Sequence, residues 1–244
     1  MKVLIACEES QEVCKAFRKL GHEAYSCDTQ DCSGGHPEWH IKADVLTQLN
    51  AGWDMMIAHP PCTYLSNAGA NWLFRGKKLN EERYAKGLKA KEFFMRLLNA
   101  DIPMIAVENP VPSSIYKLPR YSQIIQPYQF GEPYSKKTCL WLKGLPKLSQ
   151  TKIITNNIIQ WVNGGSKKAD GTHRSKNARA ATFRDSKTKS KTFKGIAQAM
   201  AEQWTKRKQK TVGEFHSTET HNNCYAVRDE PSPKVFPCEE KPIA

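Results

Sequence analysis

The sequence predicts an α/β protein with a mainly parallel, doubly wound, Rossmann-like sheet and helices on both faces. Three observations carry this. Short apolar, β-rich runs recur through the first 142 residues, each closed by turn or polar residues. Amphipathic stretches of helical period lie between them. The chain opens strand–helix–strand, and a crossover helix joins parallel strands.

In order, Lys2–Ala6 reads as the first strand. Ser10 is placed to cap a helix with Val13, Ala16, Phe17 and Leu20 inward, and Gly21 stops it because glycine tolerates positive φ. His22–Cys27 is a second strand ending at Asp28, and Asp31–His40 is polar loop. Leu46–Leu49 suits a short helix after Asp44. Trp53–Ala58 is a third strand that runs into His59-Pro60-Pro61-Cys62, and two prolines end a strand and fix the exit of the chain. Asn80–Asn99 is an amphipathic helix with Leu88, Phe93, Phe94, Leu97 and Leu98 inward. Pro103–Val107 is a fourth strand followed by Glu108-Asn109-Pro110. Thr138–Leu142 is a further strand, Ile153–Val162 holds one or two more, and Lys194–Trp204 is a helix with Ile196, Ala199, Met200 and Trp204 at helical spacing. Trp39, Trp53, Trp72 and Trp141 are expected in the core or as pocket walls, and Cys14 and Cys139 as packing.

The 244 residues carry 37 Lys+Arg against 24 Asp+Glu, a formal charge of +13. The excess sits in residues 164–211, which hold 14 basic and 3 acidic residues. A basic block beside an ordinary domain points to a polyanion, most simply nucleic acid. The division expected is 1–163 as the main domain, 164–192 as a basic loop, 193–206 as its closing helix and 207–244 as a polar tail. No apolar run approaches the roughly 18–20 residues of a membrane span. Eight cysteines without a secretory signal read as reduced thiols of a cytoplasmic protein.

In an open parallel sheet, ligands bind beyond the carboxyl ends of the strands. The predicted strand ends carry Cys7-Glu8-Glu9-Ser10, Asp28, Pro60-Pro61-Cys62 and Glu108-Asn109-Pro110. A rigid Pro-Pro turn that presents a thiol suits covalent catalysis, because small errors of aim are costly. Glu108 suits proton donation if burial raises its pKa.

These residues resemble the cytosine carbon-5 DNA methyltransferases, in a short form common in phage and prophage genomes, over roughly residues 2–142 with a weaker piece near 190–204. Asp54-Met-Met-Ile-Ala-His-Pro-Pro-Cys-Thr-Tyr-Leu-Ser66 is similar to the family's Pro-Cys loop. Val107-Glu108-Asn109 is similar to its Glu-Asn-Val motif, with Pro110 in place of Val. The segment from Phe130 to Thr138 resembles its Gly-Val-Pro-Gln-x-Arg-x-Arg stretch, with Lys136 at the first Arg and Thr138 at the second.

The resemblance implies a catalytic set of Cys62, Glu108 and Lys136. Cys62 attacks carbon 6 of a flipped cytosine, Glu108 activates the base at nitrogen 3, and carbon 5 takes the methyl group of S-adenosylmethionine. It implies cofactor contacts at Glu8, Glu9, Ser10, Asp28, Asp44 and Pro60. It implies substrate or DNA contacts at Pro61, Ser66, Asn109, Lys167, Lys168, Arg174, Arg179 and Arg184. DNA is the partner, the chain acts as a monomer in a bacterial host cell, and the role is of the modification or restriction-modification kind.

Two departures stand out. The family's glycine-rich first loop is replaced by Cys7-Glu8-Glu9-Ser10, and acidic groups there suit a cofactor carrying an ammonium and a sulfonium. Only about 50 residues separate Leu142 from the last helix, too few for a full recognition domain, so a basic loop stands in its place. Alternative readings are a catalytically silent DNA-binding or decoy protein, and an enzyme acting on free cytosine nucleotides. Cys27, Cys32, His36 and His40 form a weaker zinc alternative of uncommon spacing, and no metal is expected. His59 before Pro-Pro raises an amino-group methyltransferase reading that a His and a Cys fit poorly.

Overall fold

The computed structural model describes residues 1–70, 72–76, 78–160 and 190–206. The expected basic loop, but for its last residues, and the polar tail beyond Lys206 lie outside them.

Among the described residues the centre is one seven-stranded sheet. Its strands are β1 (Lys2–Ala6), β2 (Glu23–Asp28), β3 (His40–Lys42), β4 (Met55–Ala58), β5 (Met104–Pro110), β6 (Gln123–Ile125) and β7 (Thr138–Lys143). Their order across the sheet is β3-β2-β1-β4-β5-β7-β6. All are parallel except β7, which slots antiparallel between β5 and β6. The fold class is therefore the one expected: a doubly wound, mainly parallel α/β sheet. The order reverses between β1 and β4, and that crevice is where such sheets bind ligands.

Two helix layers cover the sheet. α1 (Glu12–Lys19) and α4 (Lys194–Thr205) pack on one face, where Val3, Ile5, Met55 and Ile57 meet Phe17, Ile196, Met200 and Trp204. α3 (Glu81–Leu98) packs on the other, where Leu4, Met56, Ile105 and Val107 meet Phe94 and Leu97. The alternation of Val3/Ile5 against Leu4/Ala6 is the period-two strand pattern buried on both sides. Each fully buried large side chain here contributes about 1.5–3 kcal/mol. The short helix α2 (Asn67–Ala70) lies between β4 and α3 in the chain.

Several local expectations differ from what forms. Ser10 does not cap α1. The residue before the helix, Gln11, takes a left-handed backbone (φ 59°), and the Glu8 carboxylate accepts from the Val13 and Cys14 amides instead. Leu20 falls at the exposed end of α1 rather than inward. In α3, Leu88 is 44% exposed, because the inward stripe runs through Gly87, Phe94 and Leu97. Gly87 is required there, since a Cβ would lie 2.1 Å from the Tyr116 hydroxyl. Trp72 is 72% exposed rather than a core or wall residue, whereas Trp53 and Trp141 are buried as expected. His40–Lys42 extends the sheet from the last residue of the expected loop, and Gln123–Ile125 is an additional strand. Within Ile153–Val162 the described strand is only Ile159–Gln160, paired with Tyr134–Ser135.

Candidate active site

The register of the parallel strands builds the site. Ala6 pairs with Cys27 and with Ala58, and Ala58 pairs with Val107. The next residue on each strand is therefore Cys7, Asp28, His59 or Glu108, set in one row across the carboxyl edge. The His59 amide still donates to the Ala6 carbonyl at 2.9 Å, holding that row together. His59 Nδ1 stands 3.5 Å from Glu108 Oε2.

Cys62 is aimed by the chain that follows. Pro60 and Pro61 fix the path out of β4, and the Ser66 amide closes a turn onto the Cys62 carbonyl at 3.1 Å. Arg83, on α3, donates to the Thr63 and Gly69 carbonyls at 3.2 and 3.1 Å, clamping the loop from below. Gly69 lies so close to this turn that a Cβ would fall 2.0 Å from the Thr63 oxygen. The loop is also tied to the exit of β5, where Ser113 N bonds Leu65 O at 2.7 Å and Asn67 N bonds Val111 O at 3.0 Å.

One cavity of about 610 Å³ receives these elements. Its lining includes Cys62, Glu108 and Lys136, so the three expected catalytic residues meet. Glu8, Glu9, Ser10, Pro60, Pro61 and Ser66 also line it. Asp28, Asp44 and Asn109 do not. Asp28 and Asp44 lie near enough to Cys7 that their charges oppose its ionisation. Asn109 follows Glu108 in β5 and so faces the opposite side of the sheet, beside Cys139, fully buried, with Nδ2 on the Pro110 carbonyl. Lys167, Lys168, Arg174, Arg179 and Arg184 lie outside the described residues.

The electrostatics separate the groups. Burial pushes the Cys62 thiol up, the Glu108 charge adds to this, and Lys136 opposes both. Cys7 is pushed up to about 12 by burial and the Asp28 charge, which disfavours its thiolate. Burial also pulls on Glu108, upward, but the hydrogen bond from His59 and the charges of Lys136 and His59 outweigh it and hold the carboxyl below its ordinary value. The condition set for proton donation by Glu108, a carboxyl raised by burial, is not met, because burial does not act alone. Glu8 is raised, chiefly by burial, against the charge of His59 and the two α1 amides. Glu9 accepts a hydrogen bond from the Ser33 hydroxyl.

The four zinc candidates do not converge; among the described residues no group of three such side chains is disposed to hold a metal. Cys27 Sγ points at the Ala43 carbonyl, His40 bonds Ser26 through Nδ1, and His36 pairs with Glu38. No described helix is long and apolar enough to cross a membrane.

Sequence reasoning did not name His59 as part of this site. Its place next to the Pro-Pro turn was visible, but its partner depends on the β4–β5 register. Asn67, Ala68, Val111 and Ser190–Thr192, which also line the cavity, carried no signal.

No family model matches the chain, and no curated protein matches it. Among solved structures it is similar to a prophage-encoded candidate DNA modification methyltransferase of E. coli, at 12% identity over 62% of this chain and 51% of that one (TM-score 0.39). It is similar to the methyltransferase EhMeth of Entamoeba histolytica, at 14% identity over 62% and 57% (TM-score 0.40). It is similar to the Dnmt2 methyltransferase of S. pombe, at 12% identity over 60% and 52% (TM-score 0.35). The chain thus spans about half the length of each of these proteins.

Proposed function

We propose that this chain is an S-adenosylmethionine-dependent methyltransferase acting on carbon 5 of cytosine in DNA. The observation that carries the reading is one cavity at the strand-order reversal, which Cys62, Glu108 and Lys136 all line. Three chemically different groups, a thiol, a carboxylate and an ammonium, converge there from three separate segments.

The residues fit the cofactor. The cavity lies within the range of about 300–1,000 Å³ typical of small-molecule sites. Where a glycine-rich loop is missing, Cys7 and Gln11 themselves adopt the left-handed backbone, with φ 57° and 59°. Glu8 and Glu9 give this end of the cavity the acidity that suits an ammonium and a sulfonium. Asp28, at the end of β2, stands where an acidic side chain meets a ribose in doubly wound sheets. S-adenosylmethionine, when bound, supplies an electrophilic methyl group.

The protein's own steps follow from the geometry. Cytosine must leave the duplex stack, at a few kcal/mol. Cys62, raised at rest, becomes the nucleophile as a thiolate favoured by Lys136. It forms a bond to carbon 6 of the base. Glu108 hydrogen-bonds the base at nitrogen 3, so that carbon 5 gains electron density; once carbon 5 is methylated, its proton leaves and the Cys62 thiolate is expelled as C5=C6 re-forms. Pro60 and Pro61 hold the aim, and Ser66 closes the turn behind the thiol. Lys167, Lys168, Arg174, Arg179 and Arg184 grip phosphates, which gives affinity without sequence information.

Mass spectrometry of nucleosides from bacterial DNA, with and without expression, tests this. The wild type is expected to raise 5-methyldeoxycytidine and Cys62→Ala not to. No rise with the wild type contradicts the reading; methylation of deoxycytidine monophosphate without methylation of DNA moves the activity to free nucleotides.

A further inference from the structure

We propose that His59 is a positioning residue that shares a proton with Glu108, so that the pair, rather than Glu108 alone, supplies the proton that activates the base. The proposal rests on the reading of the cavity as a base-methylating site.

Geometry carries it. His59 and Glu108 occupy one row of the sheet because Ala58 and Val107 are paired in register. Nδ1 faces the carboxylate at 3.5 Å, and both side chains are largely shielded, at 11% and 19% exposure. Both line the cavity that holds Cys62. The other ring nitrogen, Nε2, is buried and has no hydrogen-bond partner among the described residues. Buried polar atoms are nearly always satisfied, so an imidazole left open on one side marks a site completed by a ligand or water. The charged groups around His59 are Glu8 from the loop after β1 and Glu108 from β5, with Lys136 and Cys62 beyond Glu108.

The balance is as follows. The Cys62 thiolate forms the S–C6 bond. The C5=C6 pair shifts to C4=C5, and the C4=N3 pair settles on nitrogen 3. The one proton that the pair shares moves from His59 Nδ1 through the Glu108 carboxylate to nitrogen 3. The pair is left as a carboxylate and a neutral imidazole. Once the C4=C5 pair has taken the methyl group and the nitrogen 3 pair has re-formed C4=N3, the carbon-5 proton leaves to water, its C–H pair re-forms C5=C6 as the S–C6 bond breaks and the Cys62 thiolate departs, and nitrogen 3 returns its proton to the pair. A carboxyl held below its ordinary value is a poor donor by itself, and the proton on the imidazole beside it is the one the relay delivers.

His59→Asn tests this, because its amide donates near the Nδ1 position but cannot carry a transferable proton. Turnover on duplex DNA is measured across pH, with thermal unfolding as the folding control. The expected result is a fall in kcat of about 100-fold or more, little change in KM for DNA, and an alkaline limb displaced to lower pH. A kcat within about twofold of wild type, or a reduced kcat with the limb unmoved, overturns the proposal. If H59N does not fold, the His59 imidazole is titrated by NMR in the wild type and in Glu108→Gln. A midpoint lowered in E108Q supports the shared proton, and an unmoved midpoint refutes it. A wild type that forms neither 5-methylcytosine nor a covalent adduct removes the underlying reading, and the NMR titration then decides whether the pair alone survives.

Discussion

Glu8 is the residue whose role the structure redefines most, and removing it gives a quantitative prediction. Its buried carboxylate accepts from the Val13 amide at 2.7 Å and the Cys14 amide at 3.2 Å. α1 has no other side-chain cap, since Gln11 makes no capping bond. Glu8→Ala therefore orphans two buried amides, at about 1–3 kcal/mol each. Removing a buried charge returns part of that, leaving a net loss of about 2 kcal/mol. At about 2–4 °C per kcal/mol for a chain of this size, the midpoint of thermal unfolding falls by about 4–8 °C. Glu8→Gln isolates the charge. A carboxyl raised in the folded state is most stabilising below its unfolded value and loses that contribution as pH rises through its folded value. The stability advantage of the wild type over E8Q should then shrink from about pH 4.3 upward. The assay is thermal or urea unfolding followed by circular dichroism at several pH values. An E8A protein within about 0.5 kcal/mol of wild type refutes the capping argument and leaves Glu8 free to serve the cofactor alone.

Three further predictions follow from the same geometry. Gly69→Ala drives a Cβ into the Thr63 carbonyl and moves the Cys62 turn, so the rate of adduct formation with DNA should fall about 10- to 100-fold, read by gel shift of the covalent complex. Alkylation of Cys62 by iodoacetamide, followed by peptide mass spectrometry, should quicken in Glu108→Gln and slow in Lys136→Gln, because the first charge raises the thiol and the second lowers it. Cys7 and Cys14, pushed up to about 12, should stay unlabelled at neutral pH. Replacing Lys167, Lys168, Arg174, Arg179 and Arg184 by Gln should weaken DNA binding and lower the slope of log K against log salt by up to about 4–5, measured by fluorescence anisotropy.

Much of the fold was legible because its signals are local. Val3–Ala6, Met55–Ala58 and Ile105–Val107 are buried on both faces, and continuous apolar runs of that kind read directly as parallel strands. The convergence of Cys62 with Glu108 was legible because each follows such a run. What stayed hidden depends on distance in the chain. The three-residue strands β3 and β6 exist only by pairing with β2 and β7. Leu88 was placed inward by period alone, whereas Tyr116, nearly 30 residues on, selects Gly87 for the contact. Ser10 had the residue type of a cap, but the left-handed turn at Gln11 hands that task to Glu8. The downward pull on Glu108 was hidden because its partner, His59, is set by register rather than by sequence neighbourhood.

The most direct test of the central claim is trapping. The protein is incubated with S-adenosylmethionine and a duplex containing 5-fluorodeoxycytidine, and the product is digested and mapped by mass spectrometry. A covalent DNA adduct on Cys62, lost in Cys62→Ala, is the expected result. A wild-type protein that binds the duplex yet forms no adduct, or forms one on another residue, contradicts it.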